Sequence, residues 1–196
     1  MERTWECKCG QIKAKLKGEP ILNFRCHCRS CVAAAQFIEE KTKKSGTPLL
    51  HSDGGGACAS PYAAGQVEFI TPLSDENERS KLKFVRVGDK GKPWRCYTKC
   101  CGTQMTNCVF NRLIAFNRNG IKNVDGSKFE PDDVLNIQVK HSFDPSAVPE
   151  PNHKTIPSSW GFHFMAPIMN PLGTKHKMKE LAPEDSDTEI VPITWE

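Results

Sequence analysis

Ten cysteines in 196 residues constrain this chain more than any other feature of its sequence. Nine of them fall into three groups, and Cys58 stands alone; the groups are Cys7 and Cys9, then Cys26, Cys28 and Cys31, then Cys96, Cys100, Cys101 and Cys108. Disulfides persist mainly in oxidising compartments, and the first residues, Met1 to Glu6, contain no apolar segment of the kind that directs secretion. We therefore expect reduced thiols, and their spacing decides whether they bind a metal.

The spacing of the cysteines is typical of metal ligation. Three thiols fall within the six residues Cys26-His27-Cys28-Arg29-Ser30-Cys31, and Cys7-Lys8-Cys9-Gly10 is a close pair that Cys100-Cys101-Gly102 could complete from a distance. Zn²⁺ is the usual partner of several thiolates, and an iron–sulfur cluster is the alternative. We expect Cys58 and Cys108 to be small buried side chains, and Cys96 stays undecided.

Short alternating segments predict a mostly β, antiparallel fold. Ile12, Ala14 and Leu16 alternate with lysines, and further strands are predicted at 22–26, 67–70, 82–87, 94–97, 113–116 and 135–139. One short helix is predicted over Cys31–Glu40, with Ser30 as its N-cap. The pattern indicates a single domain at 1–172 that includes the segment Trp160–Phe164, followed by a flexible acidic tail at 173–196.

Charge and motifs exclude several classes of function. The net charge of +4 is only mildly basic, so nucleic acid is a less favoured partner but stays an alternative. No run of about 18 apolar residues exists to span a membrane, and common phosphate-binding and hydrolase motifs are absent. We expect a cytoplasmic protein, with the nucleus as the alternative, and the oligomeric state stays open.

Three motifs in order resemble the glutathione-dependent formaldehyde-activating enzyme-like family, which includes relatives of centromere protein V. They are Cys7-x-Cys9-Gly10, then Cys26-His27-Cys28-x-x-Cys31, then an aromatic residue followed by a Cys-Gly turn, Tyr97 to Cys101-Gly102. The resemblance covers about Trp5 to Met105, and more loosely the chain up to Trp160.

The resemblance implies an Mss4-like antiparallel β fold with zinc knuckles and one or two zinc ions. In the family, the first pair and the Cys-Gly turn would hold a structural zinc. Cys26, Cys28 and Cys31 would hold a second zinc with an open position, where the thiol of glutathione meets formaldehyde. The implied activity is that of a carbon–sulfur lyase acting on thiol–aldehyde adducts.

The chain departs from the family pattern in two places. Where the Cys-Gly turn normally starts with a cysteine, this chain has Thr98, so only Cys101 carries over directly. We expect Cys100 to supply the missing thiolate, with Cys96 in reserve. Val32 replaces the polar or basic residue common after the triplet, which weakens the inference about substrate more than that about metal.

Three thiolates on one zinc favour thiol chemistry over hydrolysis, because such an electron-rich ion is a poor activator of water. A fourth ligand would close the site. We expect His27 to point away into a solvated loop, whereas His51 or Asp53 could reach the metal from a flexible glycine-rich loop. The basic residues Lys8, Arg25 and Arg29 could attract an anionic substrate.

Two other functions compete with the lyase. One is a zinc-stabilised module that binds nucleic acid, cytoskeleton or protein, for which the lysine-rich strand and Lys41, Lys43 and Lys44 would supply positive charge. The other is a redox or metal-handling protein that uses the spare cysteines.

Overall fold

The computed structural model describes residues 1–52, 55–88, 94–109, 113–142, 144–157 and 188–191. Within these ranges the strands are β1 (Glu2–Glu6), β2 (Lys13–Lys17), β3 (Asn23–Cys26), β4 (Ala57–Ala63), β5 (Val67–Phe69), β6 (Leu82–Val87), β7 (Trp94–Thr98), β8 (Gln104–Val109), β9 (Leu113–Asn117), β10 (Ile121–Asn123), β11 (Val134–Ile137), β12 (Asn152–His153) and β13 (Thr188–Val191). The α-helices of the described residues are α1 (Arg29–Lys41) and the four-residue α2 (Glu76–Arg79), and there are four 3-10 turns of three residues each. The prediction of a mostly β fold with one main helix is confirmed.

The strands form two sheets. The smaller sheet has the antiparallel order β10-β1-β2-β5, and the larger has the order β12-β11-β3-β4-β9-β8-β7-β6-β13. The larger sheet is antiparallel through its centre, but β11 pairs in parallel with β3 and β12, and β13 pairs in parallel with β6. The sheet is therefore mixed towards its edges, which the short-range alternation in the sequence did not predict.

A shared apolar core holds the two sheets together. Ala14 and Leu16 of β2 are fully buried in it, as the alternation with lysines predicts. Trp5 of β1 packs on Phe116 of β9 with ring centroids 5.7 Å apart. The Trp5 indole Nε1 also donates a hydrogen bond to the Asn117 carbonyl at 3.1 Å, which ties the smaller sheet to the larger one.

Helix α1 packs on the larger sheet through one apolar face. Ala34 and Ile38 are buried one turn apart and contact Val85 and Tyr97 of the sheet. The helix starts at Arg29, two residues earlier than predicted, and its N-cap is Cys28, with no side-chain capping bond. The prediction that Ser30 is the cap is wrong: Ser30 lies inside the first turn, and its hydroxyl accepts a hydrogen bond from the sheet instead.

Two predictions concern residues largely outside the described ranges. Of the expected tail, residues 173–187 and 192–196 lie outside them, and Thr188–Val191 forms β13 on the edge of the larger sheet. The segment Trp160–Phe164 also lies outside. In the part of the chain that is described, the helices are too short and too polar to cross a bilayer.

Candidate metal centres

Four cysteines from two distant segments form the first cluster, which consists of Cys7, Cys9, Cys100 and Cys101. Cys7 and Cys9 follow β1, and the other two lie in the turn between β7 and β8. Sγ of Cys7 lies 3.6 Å from Sγ of Cys9 and 3.8 Å from Sγ of Cys100. The Cys9 and Cys100 sulfurs are 3.2 Å apart, and the Cys100 and Cys101 sulfurs 4.0 Å apart.

These distances fit a tetrahedral zinc site. Sulfurs about 2.3 Å from one Zn²⁺ lie about 3.8 Å from each other in a tetrahedron, and the four measured separations run from 3.2 to 4.0 Å. All four residues are free thiols. The first cluster therefore has the number, type and spacing of donors that a closed structural site needs.

The structure distinguishes between the two candidates for the missing thiolate. Cys100 lies in the first cluster, whereas Cys96 points from β7 into the core between the sheets and is fully buried. Thr98, which occupies the usual cysteine position, places its hydroxyl oxygen 3.5 Å from Sγ of Cys101. The sulfurs of the adjacent residues Cys100 and Cys101 thus both lie in the first cluster.

Two glycines shape the turns that carry the first cluster. Gly10 has φ of 75° and donates its N–H to the Cys7 carbonyl at 2.8 Å. Gly102 has φ of 74° and donates its N–H to the Thr98 carbonyl at 2.8 Å. A Cβ on Gly102 would also lie only 2.4 Å from Cβ of Thr42. Both turns therefore need glycine, the second for space as well as for backbone conformation.

Thr103 connects the first cluster to its surroundings. Its hydroxyl oxygen accepts hydrogen bonds from the backbone N–H of Lys8 at 3.1 Å and of Thr47 at 3.0 Å, and it lies 3.2 Å from Sγ of Cys101. Because a hydroxyl has two lone pairs and one proton, the proton is left to point at Cys101. Burial raises the pKa of Cys101, but hydrogen bonds from the side chains of Thr103 and Thr98, together with those from the backbone of Cys9 and Thr103, lower that pKa to about 6.

Three cysteines around the start of α1 form the second cluster, which consists of Cys26, Cys28 and Cys31. Cys26 is the last residue of β3, Cys28 is the helix N-cap, and Cys31 lies in the first turn, with its N–H 3.0 Å from the Cys28 carbonyl. The three sulfurs lie within 4.8 Å of one another. They are surrounded by apolar side chains, namely Leu22, Phe24, Leu135 and Ile137.

The three thiols of the second cluster differ in pKa, and that of Cys28 is the lowest. Hydrogen bonds from the thiols of Cys26 and Cys31 lower the pKa of Cys28 to about 2, although burial opposes this. The same bond to Cys28 raises the pKa of Cys26 well above its usual value, together with the bond to Cys31 and burial. For Cys31 the bond with Cys26 lowers the pKa, but the bond to Cys28 and burial raise it to about 11. The helix N-terminus also favours a thiolate at Cys28.

A buried arginine lies beside the second cluster. Arg95 of β7 is 3% exposed, and its Nη2 donates a hydrogen bond to Oγ of Ser30 at 3.2 Å. That oxygen lies 3.5 Å from Sγ of Cys28, and the charge of Arg95 also acts on Cys31. Sequence reasoning missed Arg95, although a charged residue in the middle of an apolar strand was an available signal.

No described His, Asp or Glu completes the second cluster. His27 points away from it, but the expectation that it lies in a solvated loop is wrong. Its side chain is fully buried and packs so closely on Gly56 that a Cβ there would lie 2.6 Å from Nε2. His51 is not grouped with the cluster, and Asp53 lies outside the described residues. Three thiols without a fourth donor among the described residues are the donor set of an open zinc site.

Cys58 is fully buried, which confirms its prediction, whereas the side chain of Cys108 is outside the described part. The guanidinium groups of Arg25 and Arg118 hydrogen-bond to Cys58, but burial is the larger effect and raises the pKa of Cys58.

The three basic residues expected to attract a substrate lie in different places. Arg25 does not lie over the second cluster, because its side chain points to the opposite side of β3 from that of Cys26. Of the other two expected basic residues, Arg29 is exposed at the start of α1 and Lys8 is exposed at the first cluster.

The lysine-rich strand is charge-compensated. Lys17 forms an ion pair with Glu68 at 2.7 Å, and the neighbouring lysines of β2 pair with glutamates of β1; these pairs are Lys15–Glu2 and Lys13–Glu6. The exposed face of the smaller sheet is therefore a mixed surface rather than a basic one. It offers little of the concentrated positive charge that phosphate binding requires.

Part of the chain resembles a known protein family. Residues 2–44 match the family model described as "Glutathione-dependent formaldehyde-activating enzyme". This confirms the predicted resemblance for the segment that contains Cys7, Cys9 and the whole second cluster, whereas the relation to centromere protein V stays a prediction. No curated protein matches the chain.

Proposed function

We propose that this chain is a zinc–thiolate protein that makes and breaks the carbon–sulfur bond between a small thiol, such as glutathione, and formaldehyde. The observation that carries the proposal is the second cluster, in which three thiols converge at a helix N-terminus and no described His, Asp or Glu joins them. The family match over residues 2–44 supports the same chemistry.

The first cluster would have a structural role. Its four cysteines are the donor set of a closed zinc site, which leaves no position for a substrate. Cys7 and Cys9 extend from the smaller sheet, and Cys100 and Cys101 from the larger one. A metal held there would therefore fasten the two sheets together.

The second cluster would carry the reaction. Zinc bound by Cys26, Cys28 and Cys31 would supply a position for the substrate thiol and lower the pKa of that thiol. The surrounding apolar side chains limit access of water to the sulfurs. In the synthetic direction the substrate sulfur adds to the aldehyde carbon, and the aldehyde oxygen takes up the proton that the thiol gives up. The reverse direction breaks the same carbon–sulfur bond.

Cys28→Ser tests the proposal against the matched variant Cys58→Ser, because both replace a free cysteine by serine and only Cys28 lies in a cluster. We expect elemental analysis of the reduced wild-type protein to find two zinc ions per chain. Cys28→Ser should lose one of them and abolish turnover of the glutathione–formaldehyde adduct, whereas Cys58→Ser should keep both zinc and turnover.

Three results would contradict the proposal: no zinc in the wild type, no turnover in the wild type, or equal loss of turnover in the two variants. Salt-dependent binding of nucleic acid that persists in Cys28→Ser would instead support the alternative of a zinc-stabilised binding module.

A further inference from the structure

Arg95 is an unusual residue for its position. Its side chain is 97% buried, since only 3% is exposed, and burial of a guanidinium is costly unless negative charge lies close to it. One hydrogen bond of Arg95 goes to Oγ of Ser30, which lies 3.5 Å from Sγ of Cys28, and the charge of Arg95 acts on Cys31. Because thiols that bind a metal are deprotonated, the negative charge close to Arg95 would include that of the ligating thiolates.

The fold holds Arg95 at this place from two sides. Tyr97, two residues further along β7, lies on the same face of the sheet and in the same apolar cluster as Ala34 and Ile38 of α1. On this face Arg95 meets the first turn of the helix at Ser30. Its guanidinium is therefore positioned by packing and not by the metal ligands alone.

The charge of Arg95 changes what the second cluster can accept. Three thiolates around a divalent cation have a net charge of −1, and a fourth thiolate makes it −2, which is unfavourable in an apolar environment. When the positive charge of the Arg95 guanidinium is included, binding of the fourth thiolate changes the total charge from zero to −1. A neutral fourth ligand adds no charge and gains much less from the arginine.

We propose that Arg95 is the positioning residue that supplies the counter-charge of the second cluster and makes its open position selective for an anionic sulfur ligand over a neutral one. The inference rests on the proposed function, in that it takes the second cluster to hold a metal with one open position.

Ligand titration of the cobalt-loaded full-length chain tests this inference. Co²⁺ replaces zinc with a visible spectrum, and glutathione and imidazole serve as the anionic and neutral probes. Since four cysteines leave no open position in the first cluster, the spectral change on adding a probe reports the second cluster. The variants are Arg95→Gln, which removes the charge, Arg95→Lys, which keeps it, and Arg29→Gln, which removes an exposed charge beside Cys28.

In Arg95→Gln we expect the Kd for glutathione to rise about tenfold or more, and the Kd for imidazole to change by less than about twofold. Arg95→Lys should keep most of the preference for glutathione. Arg29→Gln should have a smaller effect that disappears at high salt, because exposed charges are screened.

Equal weakening of both probes in Arg95→Gln, or no weakening of either, would overturn the role of Arg95 and leave the proposed function standing. A wild-type spectrum that does not respond to glutathione would overturn both. If Arg95→Gln lacks the circular dichroism spectrum of the wild type, Arg95→Lys decides, and loss of the glutathione preference in that folded variant overturns the inference.

Discussion

Two individual residues, Thr98 and Thr103, support the first cluster through their hydroxyl groups. Thr103 accepts hydrogen bonds from two backbone N–H groups, of Lys8 and Thr47, and leaves its proton for Cys101. The residue therefore joins three segments of the chain at one oxygen atom. Thr98 adds a second hydroxyl at 3.5 Å from the same sulfur, so that a threonine at the usual cysteine position still contributes to the cluster.

Thr103→Val should lower the zinc affinity of the first cluster by about 10- to 100-fold, since hydrogen bonds to metal ligands orient them and loss of such a partner typically has an effect of this size. Thr103→Ser keeps the hydroxyl and should bind zinc nearly as well as the wild type. Competition with a chromophoric chelator measures both affinities. Equal affinities of the valine and serine variants would contradict the role of the hydroxyl.

Among the secondary-structure elements, turns rather than strands contain most of the cysteines of the two clusters. Each cysteine turn closes through a backbone hydrogen bond from a glycine at positive φ, which is Gly10 in the first turn and Gly102 in the second. Gly102 also lies directly against Thr42 at the end of α1. The helix that begins in the second cluster therefore ends on the turn of the first.

Gly102→Ala should destabilise the metal-loaded protein more than Gly126→Ala does. Both glycines have positive φ, which costs an alanine about 1–2 kcal/mol. A new Cβ at Gly102 would also lie 2.4 Å from Thr42, whereas nothing lies within 4 Å of one at Gly126. Urea denaturation of the two variants gives the difference in free energy of unfolding. Equal losses of stability would show that the contact with Thr42 relaxes freely.

The two clusters differ in how far apart in the sequence their cysteines lie. The first joins cysteines separated by up to 94 residues, from Cys7 to Cys101, and links the two sheets. The second lies within six residues of sequence, at the join of β3 and α1. Cross-linking distant segments constrains the unfolded chain more than cross-linking near ones.

Loss of metal from the first cluster should therefore lower Tm more than loss from the second. Cys9→Ser and Cys28→Ser remove one donor from each, and Cys9 is exposed, so its replacement removes little packing. Thermal denaturation of the zinc-loaded variants measures both shifts, and excess chelator should bring the wild type down to the level of Cys9→Ser or below. A larger shift for Cys28→Ser would contradict the structural role of the first cluster.

The local patterns of the sequence predict β2, β6, β7, β9 and α1. β2 alternates in burial, whereas β7 and β9 are buried throughout but contain aromatic and β-branched residues. Helix α1 is predicted by the helix propensity of Val32-Ala33-Ala34-Ala35. β4, with the sequence Ala-Cys-Ala-Ser-Pro-Tyr-Ala, is not predicted, because no alternation marks it and its alanines and proline are residues that strands disfavour. β1 and β13 were missed as well, and the parallel pairing of β13 depends on a strand about 100 residues away.

The sequence by itself determined that thiols would cluster: close spacing brings Cys26, Cys28 and Cys31 together whatever the rest of the chain does, and glycine after Cys9 and Cys101 allows tight turns. Only the tertiary structure decided that Cys100 and not Cys96 joins the first cluster, and that Arg95 lies beside the second. The reason is geometric. A strand places alternate side chains on opposite faces of the sheet. The register of β7 with its neighbouring strands therefore decides which of its residues meet the core and which meet α1. That register is set by packing across the whole sheet.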